Sequence, residues 1–290
     1  MCIAHHGEIL QGLFQSGSGQ YRRALVTLPW PTRVAVATFQ LIPAAVNQAQ
    51  QDTRPKEKAL RAVRLALAHL GQSQTGGILE LSSTIPIGRG LGSSTSDVVA
   101  AIRAVVNAYQ ASLTDAQIAR LAVAAEVASD STMFDNAAVL FAHRDGDVLE
   151  TFSRRLPPLE VLGFDTCEQE VGIDTILTAP PVYSTEERTQ FRELKDCLRQ
   201  GIENMDPGAV GAVASASAEI NQKYLPKPKF SELQEIALAA GAVGLQVAHS
   251  GTVAGLLFDR QNRSRQPGLA RAKSSLIRLG FASCYRFTTQ

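Results

Sequence analysis

The feature that most constrains this chain is the segment Pro86-Ile-Gly-Arg-Gly-Leu-Gly-Ser-Ser-Thr-Ser-Asp97. Before it, residues 78–85 alternate apolar and polar side chains, as a half-buried strand does. After it, an apolar run from about Thr95 to Tyr109 reads as a helix. Gly88, Gly90 and Gly92 open backbone conformations closed to other residues, so successive N–H groups can face one concavity. Ser93, Ser94 and Thr95 add hydroxyls and the unpaired N–H groups of a helix start, where the dipole favours negative charge. A triphosphate needs such a seat. A Walker loop would require Lys after the last glycine, and none is there. A dinucleotide fingerprint would require GxGxxG, and the spacing here is G-x-G-x-G-S-S. The plain alternative is a glycine turn with a Ser/Thr helix cap; the paired serines favour the anion seat.

The rest of the chain bounds the architecture. Residues 2–14 read as two strands about a turn at Gly7, and 24–42 as strands interrupted by Pro29 and Pro31. A polar loop is expected over 44–55 and a helix over 56–70, stopped by Gly71. Thr114 and Gln117 form a capping box for a helix over 114–127. Strands are expected at 137–142 and 147–152 about Asp145-Gly146, and again near 159–164 and 172–178. Helices follow at 185–203, 207–222 and 231–240. Residues 241–259 read as strand, glycine turn, strand, ahead of a helix at 267–279 and a strand at 281–288. Without strict βαβ alternation this is an α+β pattern. The Pro157-Pro158 pair divides it into expected domains of 1–156 and 157–290, a size suited to 290 residues.

Net charge is +1, which offers no field for nucleic acid or a membrane surface. Cys2, Cys167, Cys197 and Cys284 show no metal-ligand spacing and suit a reducing compartment. With no signal-like N-terminus and no long apolar run, a cytoplasmic protein is expected.

Two further segments carry chemistry. Glu126 to Asn136 is dense in carboxylates and hydroxyls, as metal binding and activation of an attacking hydroxyl require. Near the N-terminus, Glu8 follows Gly7. His5 and His6 are adjacent, point to opposite faces of a strand and receive no catalytic role.

PIGRGLGSSTS resembles the second motif of the GHMP kinases, written PxxxGLGSSAA, with Thr95-Ser96 in place of Ala-Ala. Ala4 to Gly12 resembles the first motif, and GEILQG is similar to the GEL[VI]QG stretch of the L-threonine kinase branch. Residues 126–134 resemble that branch's EPTDSxMF, with Ala128 and Ser129 replacing Pro and Thr. Gly244 to Gly255 resembles the third motif. The resemblance implies a two-lobed fold, with a ribosomal-S5-like N-terminal domain and a ferredoxin-like C-terminal domain. It implies ATP held by Pro86, Gly88, Gly90, Leu91, Gly92, Ser93, Ser94 and Thr95, and Mg2+ held by Ser94 and Glu126. Glu8, Ser250, Gly251 and Thr252 would meet the substrate. Asp130 or Asp135 would be the base, although some members of the family have none. The substrate implied is a small hydroxy amino acid, first L-threonine, with L-serine, L-homoserine or a modified threonine as alternatives. Arg22, Arg23 and Arg89 are candidates for its carboxylate. A metabolite-binding homologue without catalysis, a decarboxylase and a homodimer stay open.

Overall fold

The computed structural model describes residues 1–42, 56–167 and 181–290. The expected loop at 44–55 and strand at 172–178 lie outside the described residues.

Two long strands form the spine. β1 (Cys2–Gln15) is continuous through Gly7, which is a bulge at φ +68° and not a turn between strands. β2 (Tyr21–Ile42) is also one strand, and Pro29 and Pro31 do not break it. The register explains why. Ile3 pairs with Val34 but Ala4 pairs with Trp30, so Pro31, Thr32 and Arg33 bulge out unpaired. On the other edge of β2, pairing with β4 falls at Leu25 and pairing with β3 (Gly76–Ser83) begins at Ala35. Between those points no ladder asks Pro29 for an N–H.

β4 (Val139–Ala142) and β5 (Asp147–Thr151) form the expected hairpin. Beyond Pro158 come β6 (Leu159–Asp165), β7 (Gly244–Val247), β8 (Val253–Asp259) and β9 (Cys284–Thr288). All belong to one sheet of order β5-β4-β2-β1-β7-β8-β6-β9, with β3 paired to β2. The first four strands on that path precede Pro157 and the last four follow it. They join where Glu8 of β1 faces Val247 of β7. Trp30 reinforces the join by stacking on Tyr285 and Phe287, at 5.0 and 4.5 Å between ring centroids.

α1 (Glu57–His69), α2 (Ser93–Ala108) and α3 (Asp115–Glu126) pack together over β1 and β2. α2 is the central one, with Val98 to Ile102 wholly buried. α3 starts at the Thr114–Gln117 capping box read from the sequence. α4 (Thr185–Glu203) and α5 (Pro207–Asn221) return to β1, where Phe191 lies against Gly12 and Asn221 donates to the Gln11 carbonyl at 3.1 Å. α6 (Phe230–Ala240) and α7 (Arg265–Leu279) cover the far half of the sheet. No helix among the described residues is long and apolar enough to cross a membrane.

Candidate active site

The glycine segment becomes a loop in which Gly88, Gly90 and Gly92 all have φ between +71° and +79°. Gly92 is the N-cap of α2, without a side-chain cap and without an acid in the first turn. The N–H groups of the first turn therefore face the loop unclaimed by a side-chain cap, beside the positive end of the helix dipole. The loop and this helix start wall a cleft of about 260 Å³, together with Pro86, Glu126, Asp130 and Ser250. Leu91 anchors the loop by its burial, and its carbonyl accepts from the His5 N–H at 3.3 Å.

The end of α3 delivers the carboxylates. Ser94 Oγ donates to Glu126 Oε2 at 2.7 Å and Thr95 Oγ1 to Oε1 at 2.8 Å. Burial pushes the Glu126 carboxyl up to about 7, against the pull of those two hydroxyls. Val127 then reverses the chain at φ +73°, a conformation unusual for a β-branched residue. The turn carries Asp130 back over Thr95, whose Oγ1 accepts from the Asp130 N–H at 3.2 Å.

Asp130 has a partner that sequence reasoning missed. His5 Nε2 lies 2.9 Å from Asp130 Oδ2, with the His5 ring almost wholly buried. Burial disfavours the imidazolium, but the charge and hydrogen bond of Asp130, helped by Glu8, outweigh it and raise His5 to about 9. Burial in turn opposes ionisation of Asp130, and His5 overcomes it, holding the carboxyl below its ordinary value. Glu8 completes the group, and burial raises it to about 7 while its Oε2 accepts from the His249 N–H at 2.6 Å. Ligand atoms of His5, Glu8 and Asp130 lie within 4.8 Å of one another. The opposite facing of His5 and His6 holds: His6 turns to Tyr285 Oη at 2.8 Å and Gln246 at 2.5 Å. The Gly7 bulge brings His5 and Glu8 to one side, and a period-two reading carries no sign of a bulge.

The β7–β8 turn closes the cleft. Gly251 packs against Gly90 with no room for a Cβ, and the Thr252 N–H donates to the Arg89 carbonyl at 3.2 Å. Ser250 lines the cleft, whereas Thr252 acts through its backbone, its carbonyl accepting from Thr166. Asp135 stands apart from the glycine loop. It is 47% exposed, pairs with Arg103 at 2.9 Å and borders a separate, largely apolar cavity of about 490 Å³. Of two further cleft histidines, His249 belongs to the segment that resembles the third motif and His143 went unread. His143 and His249 lie 5.8 Å apart between ring centroids, and burial lowers them to about 3 and about 4, leaving both neutral.

This sheet and helix arrangement is shared with solved kinases. A homoserine kinase from Cytophaga hutchinsonii superposes with a TM-score of 0.67 at 17% identity, over 93% of this chain and 88% of that one. The L. major mevalonate kinase, solved with R-mevalonate, gives 0.61 at 16%, over 100% and 96%. The fold is thus the α+β fold of the GHMP kinases. Sequence agrees: residues 57–143 match the GHMP kinases N terminal domain. The L-threonine kinase of Salmonella typhimurium is 27% identical over 95% of this chain and 86% of its own length. A homoserine kinase of Chlorobium phaeovibrioides is 30% identical over 72% and 68%. The chain belongs to the GHMP kinases and is an ATP-dependent small-molecule kinase.

Proposed function

We propose that the enzyme phosphorylates the side-chain hydroxyl of a small hydroxy amino acid, first L-threonine, giving O-phospho-L-threonine and ADP. The observation that carries this reading is the group Glu8, Asp130 and His5 set beside the glycine loop. The similarity to L-threonine kinases of Salmonella typhimurium and Citrobacter freundii, over 95% and 89% of the chain, supports the choice of acceptor.

The triphosphate lies along the loop from Gly88 to Gly92, with its charge at the start of α2. The acceptor oxygen attacks the γ-phosphorus as the bond to the ADP oxygen breaks. Its proton passes to Asp130, a carboxylate of the right type and within reach of the loop. His5 acts through Asp130: its imidazolium fixes one oxygen and leaves the other for the hydroxyl. Glu8 suits the acceptor's ammonium, because a cation beside it restores the ionised form that burial disfavours. Ser94 and Glu126 offer a hydroxyl and a carboxylate 2.7 Å apart facing the phosphate seat, a donor pair that fits Mg2+. The ion, when bound, supplies neutralisation of phosphate charge. Positioning and charge supply most of the rate.

The test is ADP release from Mg-ATP with a panel of hydroxy amino acids, for native protein and Asp130→Asn. L-Threonine should be turned over. The variant should lose about 100-fold or more in kcat while the KM for ATP holds. Undiminished turnover by Asp130→Asn removes the base from the mechanism. Turnover confined to alcohols that are not amino acids removes the acceptor assignment.

A further inference from the structure

An amino acid bound here needs a cation for its carboxylate, and the three arginines offered by the sequence are not equivalent. Arg22 is held by Asp147 at 2.7 Å and Arg89 by Asp165 at 2.9 Å. Arg23 makes no ion pair and no side-chain hydrogen bond among the described residues.

Register places Arg23 on the strand face that Leu25 presents to the cleft. It stands on β2 two residues from Leu25, and residues two apart on a strand share a face. Leu25 lines the cleft and pairs with Gln11 on β1 and with Phe141 on β4. Continuing the β2–β4 register by two residues sets Arg23 opposite His143, another cleft residue. His249 is beside it, its Nδ1 2.6 Å from Gln11 Oε1. Among the described residues the buried Nε2 of His249 has no partner, nor has Nδ1 of His143.

The electrostatics agree. Burial and then the like charge of Arg144 lower the Arg23 pKa, while Tyr183 and Asp145 pull weakly the other way. A partly buried guanidinium beside a second one calls for an anion. The triphosphate already has its seat at the loop and α2, across Asp130. Thr27, which pairs with Glu8, lies four residues from Arg23, about 13 Å along the strand. Glu8 and Arg23 thus stand on one face of the β1–β2 pair, a carboxylate for an ammonium and a guanidinium for a carboxylate.

We propose that Arg23 binds the carboxylate of the acceptor and sets a preference for hydroxy amino acids over their amides and amino alcohols. The planar fork of Arg suits a bidentate grip on a carboxylate. This assignment rests on the amino-acid reading above.

The test compares L-threonine with L-threoninamide, in native protein and in Arg23→Gln. For L-threonine, kcat/KM should fall about 100-fold or more, chiefly through KM. For L-threoninamide it should scarcely change, and the KM for ATP should hold. Arg23→Lys should recover part of the loss. Equal losses for acid and amide would give Arg23 a structural role and overturn the proposal. So would full retention of L-threonine turnover by Arg23→Gln, with the amino-acid reading left standing. Native protein that phosphorylates L-threoninamide but no hydroxy acid would overturn both.

Discussion

His5 and Asp130 form an ion pair whose strength depends on pH in a definite direction. The folded pKa of His5, about 9, stands above its ordinary 6.5. The stabilisation is therefore complete below pH 6.5 and is lost as pH rises through about 9. Its size is on the order of 3 kcal/mol. Thermal melts of native protein and His5→Asn should differ most near pH 6.5 and converge above pH 9. A constant difference across that range would mean that His5 is neutral in the fold. The buried neutral His143 and His249 work on the acid side, where stability falls as pH drops below 6.5. That Glu126 and Asp130 gather beside the glycine loop was legible, because their segment is dense in carboxylates and hydroxyls and follows a helix. His5 was not, since its role depends on a glycine bulge and on a turn at Val127 that no local pattern announces.

At the scale of elements, the start of α2 and the strand β1 are fitted to each other. A Cβ on Gly92 would fall only 2.2 Å from His5 Cδ2, and the φ of +71° there is one that side chains avoid. Gly92→Ala should therefore cost about 1–2 kcal/mol for the backbone alone, and more for the crowding. Denaturant melts read the first loss. A fall in kcat exceeding that of Gly71→Ala, a left-handed glycine in open space, reads the displacement of His5. Helix positions and the α3 capping box could be read from sequence because propensity, caps and packing agree there. Strand continuity could not. Pro29 and Pro31 look like breaks until the partners of β2 are known, and those partners come from distant parts of the chain.

Across the whole molecule, the two groups of strands meet at the glycine loop. The glycine loop belongs to the first group and the β7–β8 turn to the second. Gly90 and Gly251 touch, Thr252 donates to the Arg89 carbonyl at 3.2 Å, and Lys227 Nζ donates to the Gly251 carbonyl at 2.5 Å. Such an interlock cannot be read from either segment alone, because each sees only a flexible run of small residues. ADP seated on the loop would restrain the turn through that shared backbone bond, so amide hydrogen exchange at Thr252 should slow on adding ADP. An unchanged Thr252 rate at saturating ADP would show the two sides to be uncoupled. A slowed rate would make the backbone of the turn a gauge of occupancy on the loop.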